Sequence, residues 1–482
     1  MNRSRVSSTK PGRCALTSAK PEPHPVLGLR EAMALIVGVV IGAGIFKAPS
    51  MVAGMTGSPQ WMFAAWALGG VMSIIGALCY AELASAYANA GGDYHFLRRA
   101  YGSSVSFLFA WARFSVITTG SIALLSFVFG DYLSQVLPLR VFGPTWSSAL
   151  YAAAIILVLT WVNLRGIKAG SSTQTWLTAV EVGGLLLIVV ASLFLIANGT
   201  EAAPAPLPTA APAAPASFGL AMVFVLLTYG GWNEAAYISA ELKDVRHNMV
   251  RALVLSLLII TALYLLVTWA YWKGLGMAGM AKSEAVAADL MRAAFGLPGE
   301  KLIAVMIAIS AVTSINATII VGARTGYAAG RDWRVLAKLG EWDEERGTPA
   351  KALMVQGAVA LLLVAIGAWT GGGFKSMVEF TAPVFWLFFL LAGVSLFVLR
   401  IREPAAERPF KVPLFPLLPL LFCAMCAYML WSSLSYVYSQ SLGGLNAAWI
   451  GVAVLAAGLA LLLLIRTPPL TQKQSTVPTE SR

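Results

Sequence analysis

Long apolar runs, separated by short polar stretches, dominate the pattern of residues along the chain. Twelve of them have the length, about 20 residues or more, that crosses the core of a bilayer as a helix. An Ala- and Pro-rich stretch at 198–216 is typical of an extended loop. The pattern predicts an all-α membrane protein with twelve transmembrane helices. These span approximately residues 30–54, 61–87, 103–137, 147–164, 173–197, 217–241, 250–272, 300–328, 351–369, 375–399, 412–437 and 446–465.

The first and sixth predicted helices carry glycines that interrupt a helix near its middle. Gly42-Ala43-Gly44 lies inside the first helix, and Gly230-Gly231 lies inside the sixth. The first motif alone fits close helix packing equally well. However, these two helices open two successive sets of five, and interruptions at matching positions of two halves are typical of inverted-repeat transporters. The sequence therefore predicts that helices 1 and 6 are discontinuous.

An interrupted helix in a bilayer exposes backbone groups that only a cavity or a ligand can satisfy. A second half-helix that begins near Gly42 would present free N–H groups and a positive dipole end to a carboxylate. Carbonyl groups at the ends of the first half-helices would accept hydrogen bonds from an ammonium group. Glycine lets a ligand approach the backbone closely. These features predict a binding site for a zwitterionic α-amino acid.

Composition and charge agree with a membrane protein and give its orientation. Apolar residues make up 58% of the chain, charged residues only 12%, and the mean hydropathy is +0.75. With the N-terminus inside, 26 Lys and Arg residues fall on the inner side and seven on the outer side. This bias predicts that both termini are cytoplasmic. It also explains the net charge of +12 without a nucleic-acid partner.

Five motifs together resemble the amino acid–polyamine–organocation (APC) superfamily, and most closely its L-type amino-acid transporter branch. They are VIGAGIF (40–46), YAELASAYANAGGDYHFLRRAYG (80–102), TYGGWNEAAYISAELKD (228–244), RTGYAAGRD (324–332) and LRIREPAAERPFKVP (399–413). The resemblance implies a five-plus-five inverted-repeat (LeuT-like) core that transports amino acids by alternating access. It divides the chain into a cytoplasmic tail (1–28), a core (29–400, with repeats 29–197 and 217–400), two additional helices (410–466) and a second cytoplasmic tail (467–482).

The resemblance also implies a set of substrate-binding residues at the two interruptions. In the family, backbone amides of the first interruption hold the substrate carboxylate, and carbonyls just before it face the amino group. Residues of the sixth helix also hold the amino group, and an aromatic residue there closes over the substrate from outside. The matching positions here are Val40, Ile41, Gly42, Ala43, Gly44, Tyr229, Gly230, Gly231 and Trp232.

Glu181 lies near the middle of the fifth predicted helix, where L-type relatives commonly have a lysine. An ionisable residue at this depth is a functional candidate, because burying a charge in lipid is costly. A buried carboxyl group can take up and release a proton during transport. A structural role, with a protonated Glu181 bonded between helices, is equally consistent with the sequence.

Other polar residues within the apolar runs have simpler explanations. We expect Arg113, about ten residues into the third predicted helix, to extend its side chain toward the cytoplasmic surface. Hydroxyl groups on the eighth helix could help to bind sodium in distant relatives, but hydrogen bonds between packed helices explain them better. The cluster comprises Ser310, Thr313, Ser314 and Asn316.

The alternatives within transport concern the substrate. A polyamine or cationic amino-acid antiporter would need a further anionic partner, for which Glu181 or Glu379 is available. A channel is less favoured, because the chain has no filter-like repeat. The sequence also shows no residue cluster that indicates an enzyme, and we expect no cofactor or metal.

The expected partners are an amino-acid substrate and the lipid bilayer of the cell membrane. Animal relatives of the heteromeric branch attach to a glycoprotein through a cysteine between the third and fourth helices. The corresponding loop here, residues 137–146, contains no cysteine. We therefore expect no disulfide-linked partner subunit.

Overall fold

A computed structural model gives an all-helical protein, in agreement with the sequence. It describes residues 28–89, 92–139, 143–165, 171–199, 215–343, 346, 348–371, 373–439 and 447–464. Within those ranges no β-strand occurs, and one isolated bridge joins Asp343 and Thr348. The two predicted tails, apart from Gly28, lie outside the described residues, as does most of the predicted loop at 198–216.

The first predicted repeat comprises eight α-helices and two short irregular helices. A 3₁₀ segment, Ala43–Phe46, lies between α1 and α2, and a π-helical turn, Arg113–Ile117, lies between α5 and α6. The α-helices are α1 (Leu29–Val40), α2 (Ala48–Thr56), α3 (Pro59–Ala86), α4 (Gly92–Tyr101), α5 (Ser103–Ala112), α6 (Thr118–Val136), α7 (Pro144–Leu164) and α8 (Ser171–Ala197).

The remainder of the chain continues this pattern. One 3₁₀ segment, Trp232–Glu241, follows α9, and another, Arg334–Gly340, follows α11. The α-helices are α9 (Pro215–Thr228), α10 (Val245–Lys282), α11 (Val286–Asp332), α12 (Ala350–Trp369), α13 (Gly373–Arg402), α14 (Leu417–Ser439) and α15 (Ala447–Leu464). Gly276 in α10 and Gly296 in α11 have positive φ angles, so each helix changes direction there.

Among the described residues, nine helical spans are long and apolar enough to cross a membrane. The chain is therefore a multi-pass membrane protein. The first and sixth predicted helices are not among the nine because each is divided into shorter pieces, as their glycines predicted. The apolar part of α15, Trp449–Leu464, is also shorter than the other spans. The third predicted helix is a single span of 34 residues, Ser103–Val136, that contains the π-helical turn.

The two divided segments lie together at the centre of the helix assembly. In the first segment, α2 packs against α9, while α1 packs against the 3₁₀ segment Trp232–Glu241. The first half of each segment thus contacts the second half of the other, and the two interruptions lie side by side. Helices α8 and α10 also contact α1, and α11 packs against α6 and α8.

The short helix α4 lies at one end of the assembly and connects two long helices. The Tyr94 hydroxyl donates a hydrogen bond of 2.6 Å to Asp332, the last residue of α11. Arg99 donates two hydrogen bonds, of 2.7 and 2.8 Å, to the carboxylate of Glu403, which follows α13. The helix buries Phe96 and Leu97, and its hydrogen bonds hold it against the ends of α11 and α13.

Candidate functional site

The first interruption begins where α1 ends, at Val40. Ile41 and Gly42 leave the helical conformation, with ψ angles of 71° and −172°, and the Gly42 N–H donates to the Val40 carbonyl oxygen at 2.7 Å. The 3₁₀ segment that follows, Ala43–Phe46, includes Gly44 near its start. The interruption therefore places backbone N–H groups at the start of a helical segment, where the first donors have no partner within the helix.

The second interruption separates α9 from the 3₁₀ segment Trp232–Glu241. Tyr229, Gly230 and Gly231 are non-helical, and Gly231 has a φ angle of 104°, which side chains rarely allow. The Glu234 N–H donates to the Gly231 carbonyl oxygen at 3.0 Å and begins the next turn. The sequence therefore places both interruptions correctly, to within a residue or two.

Two glycines bring the backbones of the interruptions together. A Cβ atom at Gly231 would lie 3.1 Å from the carbonyl oxygen of Val39, and one at Gly44 would lie 3.3 Å from the methyl group of Thr228. Larger residues at either position would separate the segments. The predicted residues of the two motifs, at 40–44 and 229–231, consequently lie close together in one site.

Tyr264 of α10, which sequence reasoning missed, connects the two interruptions. Its hydroxyl lies 2.9 Å from the carbonyl oxygen of Val40 and 3.2 Å from that of Thr228, the last residues of α1 and α9. Its ring packs 5.0 Å from that of Tyr229 and is fully buried. A tyrosine hydroxyl within an apolar helix needs a buried hydrogen-bond partner, and this need is the feature of the sequence that could have identified Tyr264.

Trp232 packs in an aromatic cluster that includes residues of three other helices. Its ring packs edge-on against Tyr80 and Phe389, at centroid distances of 5.1 and 5.7 Å, and contacts Phe422 at 6.5 Å. Tyr80 lies near the end of α3 and Phe422 near the start of α14. In the predicted orientation these are inner ends, and the ring lies on the inner side of the interruption.

Glu181 of α8 lies in the membrane interior and contacts α11. One carboxylate oxygen accepts a hydrogen bond of 2.7 Å from Ser310, and the other has no hydrogen-bond partner among the described residues. The side chain is almost completely buried. Ser310 thus belongs with Glu181, whereas Asn316 accepts a hydrogen bond from Asn163 that holds α11 against α7.

Arg113 does not extend to the cytoplasmic surface, and our expectation for it was wrong. Its Nη2 atom donates to both carboxylate oxygens of Glu234, at 2.9 and 3.0 Å, and its side chain is only 8% exposed. A buried guanidinium group is stabilised more by pairing with a carboxylate than by extending its side chain to water at the membrane surface. The sequence did not indicate this because the two residues are 121 positions apart.

Lys47 follows the first interruption and lies in a second buried ion cluster. Its ammonium group is 2.9 Å from carboxylate oxygens of both Asp131 and Glu284. The neighbouring Phe46 carbonyl oxygen accepts a hydrogen bond from Tyr132, which is also on α6. These contacts join the start of α2 to α6 and to the loop between α10 and α11.

Comparison with known proteins identifies the family. The chain matches the family described as amino acid permease over residues 27–459. It belongs to the amino acid permease family. The matched range contains both interruptions, Glu181, the Arg113–Glu234 pair and the ion cluster around Lys47.

Several characterised relatives of this permease family member are similar over most of their length. It is 30% identical to b(0,+)-type amino acid transporter 1 of Mus musculus, over 81% of this chain and 79% of the relative. It is 30% identical to large neutral amino acids transporter small subunit 2 of Mus musculus, over 84% of this chain and 76% of the relative. It is 28% identical to Asc-type amino acid transporter 1 of Homo sapiens, over 95% of this chain and 84% of the relative.

Proposed function

We propose that the chain is a secondary active transporter that moves a zwitterionic L-amino acid across the membrane by alternating access. The observation that carries this proposal is the meeting of the two interrupted segments, which places backbone donors and acceptors beside each other. Membership of the amino acid permease family supports it. So do the three relatives, each of which is named as an amino acid transporter. We assign the chain no enzymatic activity.

Charge complementarity accounts for a zwitterion in this site. Gly44 lies at the start of a helical segment, whose first backbone N–H groups and dipole favour a carboxylate. The carbonyl oxygens that end α1 and α9 attract an ammonium group, and Tyr264 holds both of them in position. A carbonyl oxygen has two lone pairs, so Thr228 can accept a second hydrogen bond from a substrate.

An uptake screen of all amino acids in proteoliposomes tests the proposal. It should be run with and without internal substrate and with an imposed pH gradient. The methyl ester of the best substrate and its deaminated analogue should compete at least about fivefold less well, because each leaves a buried backbone group without a partner, at a cost of about 1–3 kcal/mol. Transport of no amino acid, or equal competition by the ester, would contradict the proposal.

We propose further that Glu181 carries a coupled proton. Its second carboxylate oxygen has no hydrogen-bond partner among the described residues, and in the ionised state that oxygen would carry uncompensated charge in an apolar environment. Protonation in the closed state and release in an open state would connect a proton gradient to the transport cycle. Ser310 would hold the carboxyl group in place in both protonation states.

The alternative substrate, a polyamine or a cationic amino acid, requires a carboxylate free to bind a second positive charge. Glu379 of α13 lies 3.8 Å from Lys375, which compensates its charge in part, and Glu181 already binds Ser310. These contacts favour the zwitterion. The same uptake screen decides between the two classes.

The complete architecture that we propose has twelve transmembrane helices and a five-plus-five inverted repeat, with repeats at 29–197 and 217–400 and two further helices within 410–466. Both termini lie in the cytoplasm, and the protein resides in the cell membrane without a disulfide-linked partner. The Lys and Arg distribution supports this orientation. Labelling single cysteines placed in each tail with an impermeant reagent tests it: both should react only after the cells are opened.

A further inference from the structure

The ion pair between Arg113 and Glu234 lies directly beside the second interruption. Arg113 begins the π-helical turn Arg113–Ile117, a feature that is frequent at functional sites. Glu234 lies in the first turn after Gly231, since its own N–H donates to the Gly231 carbonyl oxygen. Gly231 in turn contacts Val39 of the first segment. The pair is therefore one helical turn away from the place where the two segments meet.

The two partners differ in their exposure. The side chain of Arg113 is 8% exposed, whereas that of Glu234 is 33% exposed. A carboxylate at this depth is tolerated where it faces a water-filled cavity and not where it faces lipid. The open side of Glu234 therefore belongs to the substrate pathway, with Arg113 behind it.

We propose that the Arg113–Glu234 pair selects the charge of the substrate's side chain. This inference rests on the proposed function. Backbone groups of the interruptions satisfy the amino and carboxylate groups of the substrate, so its side chain is the part left for other residues to recognise. An intact pair has no net charge. A charged side chain of the substrate could bind one residue of the pair only by displacing the other. The pair thus favours a neutral side chain.

The more exposed residue of the pair, Glu234, also determines whether cationic or anionic amino acids are disfavoured more strongly. Because Glu234 and not Arg113 faces the pathway, a cationic side chain meets an attractive charge and an anionic one a repulsive charge. The wild-type protein should therefore bind neutral amino acids best, cationic ones less well and anionic ones least.

Two single substitutions should change this order in opposite directions. Arg113→Met leaves Glu234 unpaired, so affinity for lysine relative to leucine should increase roughly tenfold or more. Glu234→Gln removes the carboxylate charge that neutralises Arg113, so affinity for glutamate relative to leucine should increase to a similar extent. Competition binding to purified protein, with leucine, lysine and glutamate as the three ligands, measures both effects.

A double substitution keeps an ion pair and guards against variants that fail to fold. Arg113→Glu with Glu234→Arg makes the exposed partner positive, so glutamate should now bind better than lysine, while leucine remains preferred. Arg99→Met is the matched control, because Arg99 also pairs with a glutamate but lies on α4, away from the interruptions. It should preserve the wild-type order.

The outcomes separate this inference from the proposed function. If the wild-type protein binds none of the amino acids of the uptake screen, the proposed function fails. If the wild type binds neutral amino acids and the double variant still prefers lysine to glutamate, the pair only holds the helices together and the inference is wrong. Unchanged ligand ranking in both folded single variants would overturn it equally.

Discussion

The hydroxyl group of Tyr264 lies 2.9 Å from the carbonyl oxygen of Val40, the residue at which α1 ends. The same hydroxyl lies 3.2 Å from the carbonyl oxygen of Thr228, where α9 ends. One side chain thus lies within hydrogen-bond distance of backbone carbonyl groups of both interrupted segments, and its single proton is donated to one of them or shared between the two. It holds the two interruptions at a fixed separation. It also reduces the number of backbone carbonyl oxygens that need a ligand as their hydrogen-bond donor.

Replacing Tyr264 by phenylalanine should therefore destabilise the protein and weaken substrate binding. We expect a loss of about 1–2 kcal/mol in stability, because two buried carbonyl oxygens lose one partner. The thermal unfolding midpoint of purified protein in detergent measures this. Tyr151→Phe is the control, since Tyr151 also donates to a backbone carbonyl but this hydrogen bond is exposed. Equal shifts in the two variants would contradict the role given to Tyr264.

Substitutions at Gly44 should affect binding in proportion to the size of the new side chain. Gly44→Ala places a methyl group 3.3 Å from Thr228, a close contact that a small shift relieves, so substrate affinity should fall moderately. Gly44→Leu should abolish binding in a folded, monodisperse protein, because its side chain meets Thr228 and separates the two interruptions. Gly183→Leu is the control, since a Cβ atom there meets no other atom within 4 Å. Wild-type affinity in Gly44→Leu would exclude a site at this interruption.

Glu181→Gln should abolish proton-driven accumulation while exchange of internal for external substrate persists. Glutamine keeps the shape and the hydrogen bond to Ser310 but cannot release a proton. The measurement is concentrative uptake in proteoliposomes whose interior is alkaline. Ser310→Ala serves as the comparison, because it removes the hydrogen bond and keeps the proton. If Glu181→Gln still accumulates substrate in response to the pH gradient, Glu181 has only a structural role.

The two carboxylates that bind Lys47 should contribute unequally to stability. Lys47 is 1% exposed and Glu284 is 84% exposed at its side chain, whereas Asp131 is 22% exposed. Asp131→Asn removes the less exposed carboxylate, leaves the buried ammonium group to the exposed side chain and the backbone carbonyl oxygen of Glu284, and should cost about 2–3 kcal/mol. Glu284→Gln should cost less than about 1 kcal/mol, because exposed ion pairs contribute little. Thermal unfolding of the two variants gives the comparison, and a larger loss for Glu284→Gln would refute the ranking.

The fold could be predicted from the sequence to a large extent because the bilayer imposes strong local constraints. Helix lengths follow from its thickness, and the two glycine motifs mark places where backbone groups can be left to a ligand. The helix ends of α3, α7 and α12, for example, lie within about three residues of the predicted bounds. These features depend on neighbouring residues in the chain, so a single sequence contains them.

The contacts between distant residues could not be predicted in the same way. The partner of Arg113 is on another helix 121 positions away, and no local pattern indicates which carboxylate will lie beside it. Trp232 was placed on the correct segment, but its direction depends on how α3, α13 and α14 pack around it. Tyr264 has an ordinary apolar sequence context, and only the assembled structure shows the two carbonyl groups that it contacts.

The short helix α4 has a mechanical consequence for any change of conformation. Tyr94 and Arg99 lie half a helix apart and fasten the ends of α11 and α13 to one stiff element. Burial and the hydrogen bond to Asp332 raise the pKa of Tyr94 to about 12, and the hydrogen bonds from Arg99 lower the pKa of Glu403. Both attachments therefore persist through the neutral pH range. A displacement of α11 at this end must carry α13 with it or break one of these hydrogen bonds, so α4 couples the movements of the two long helices.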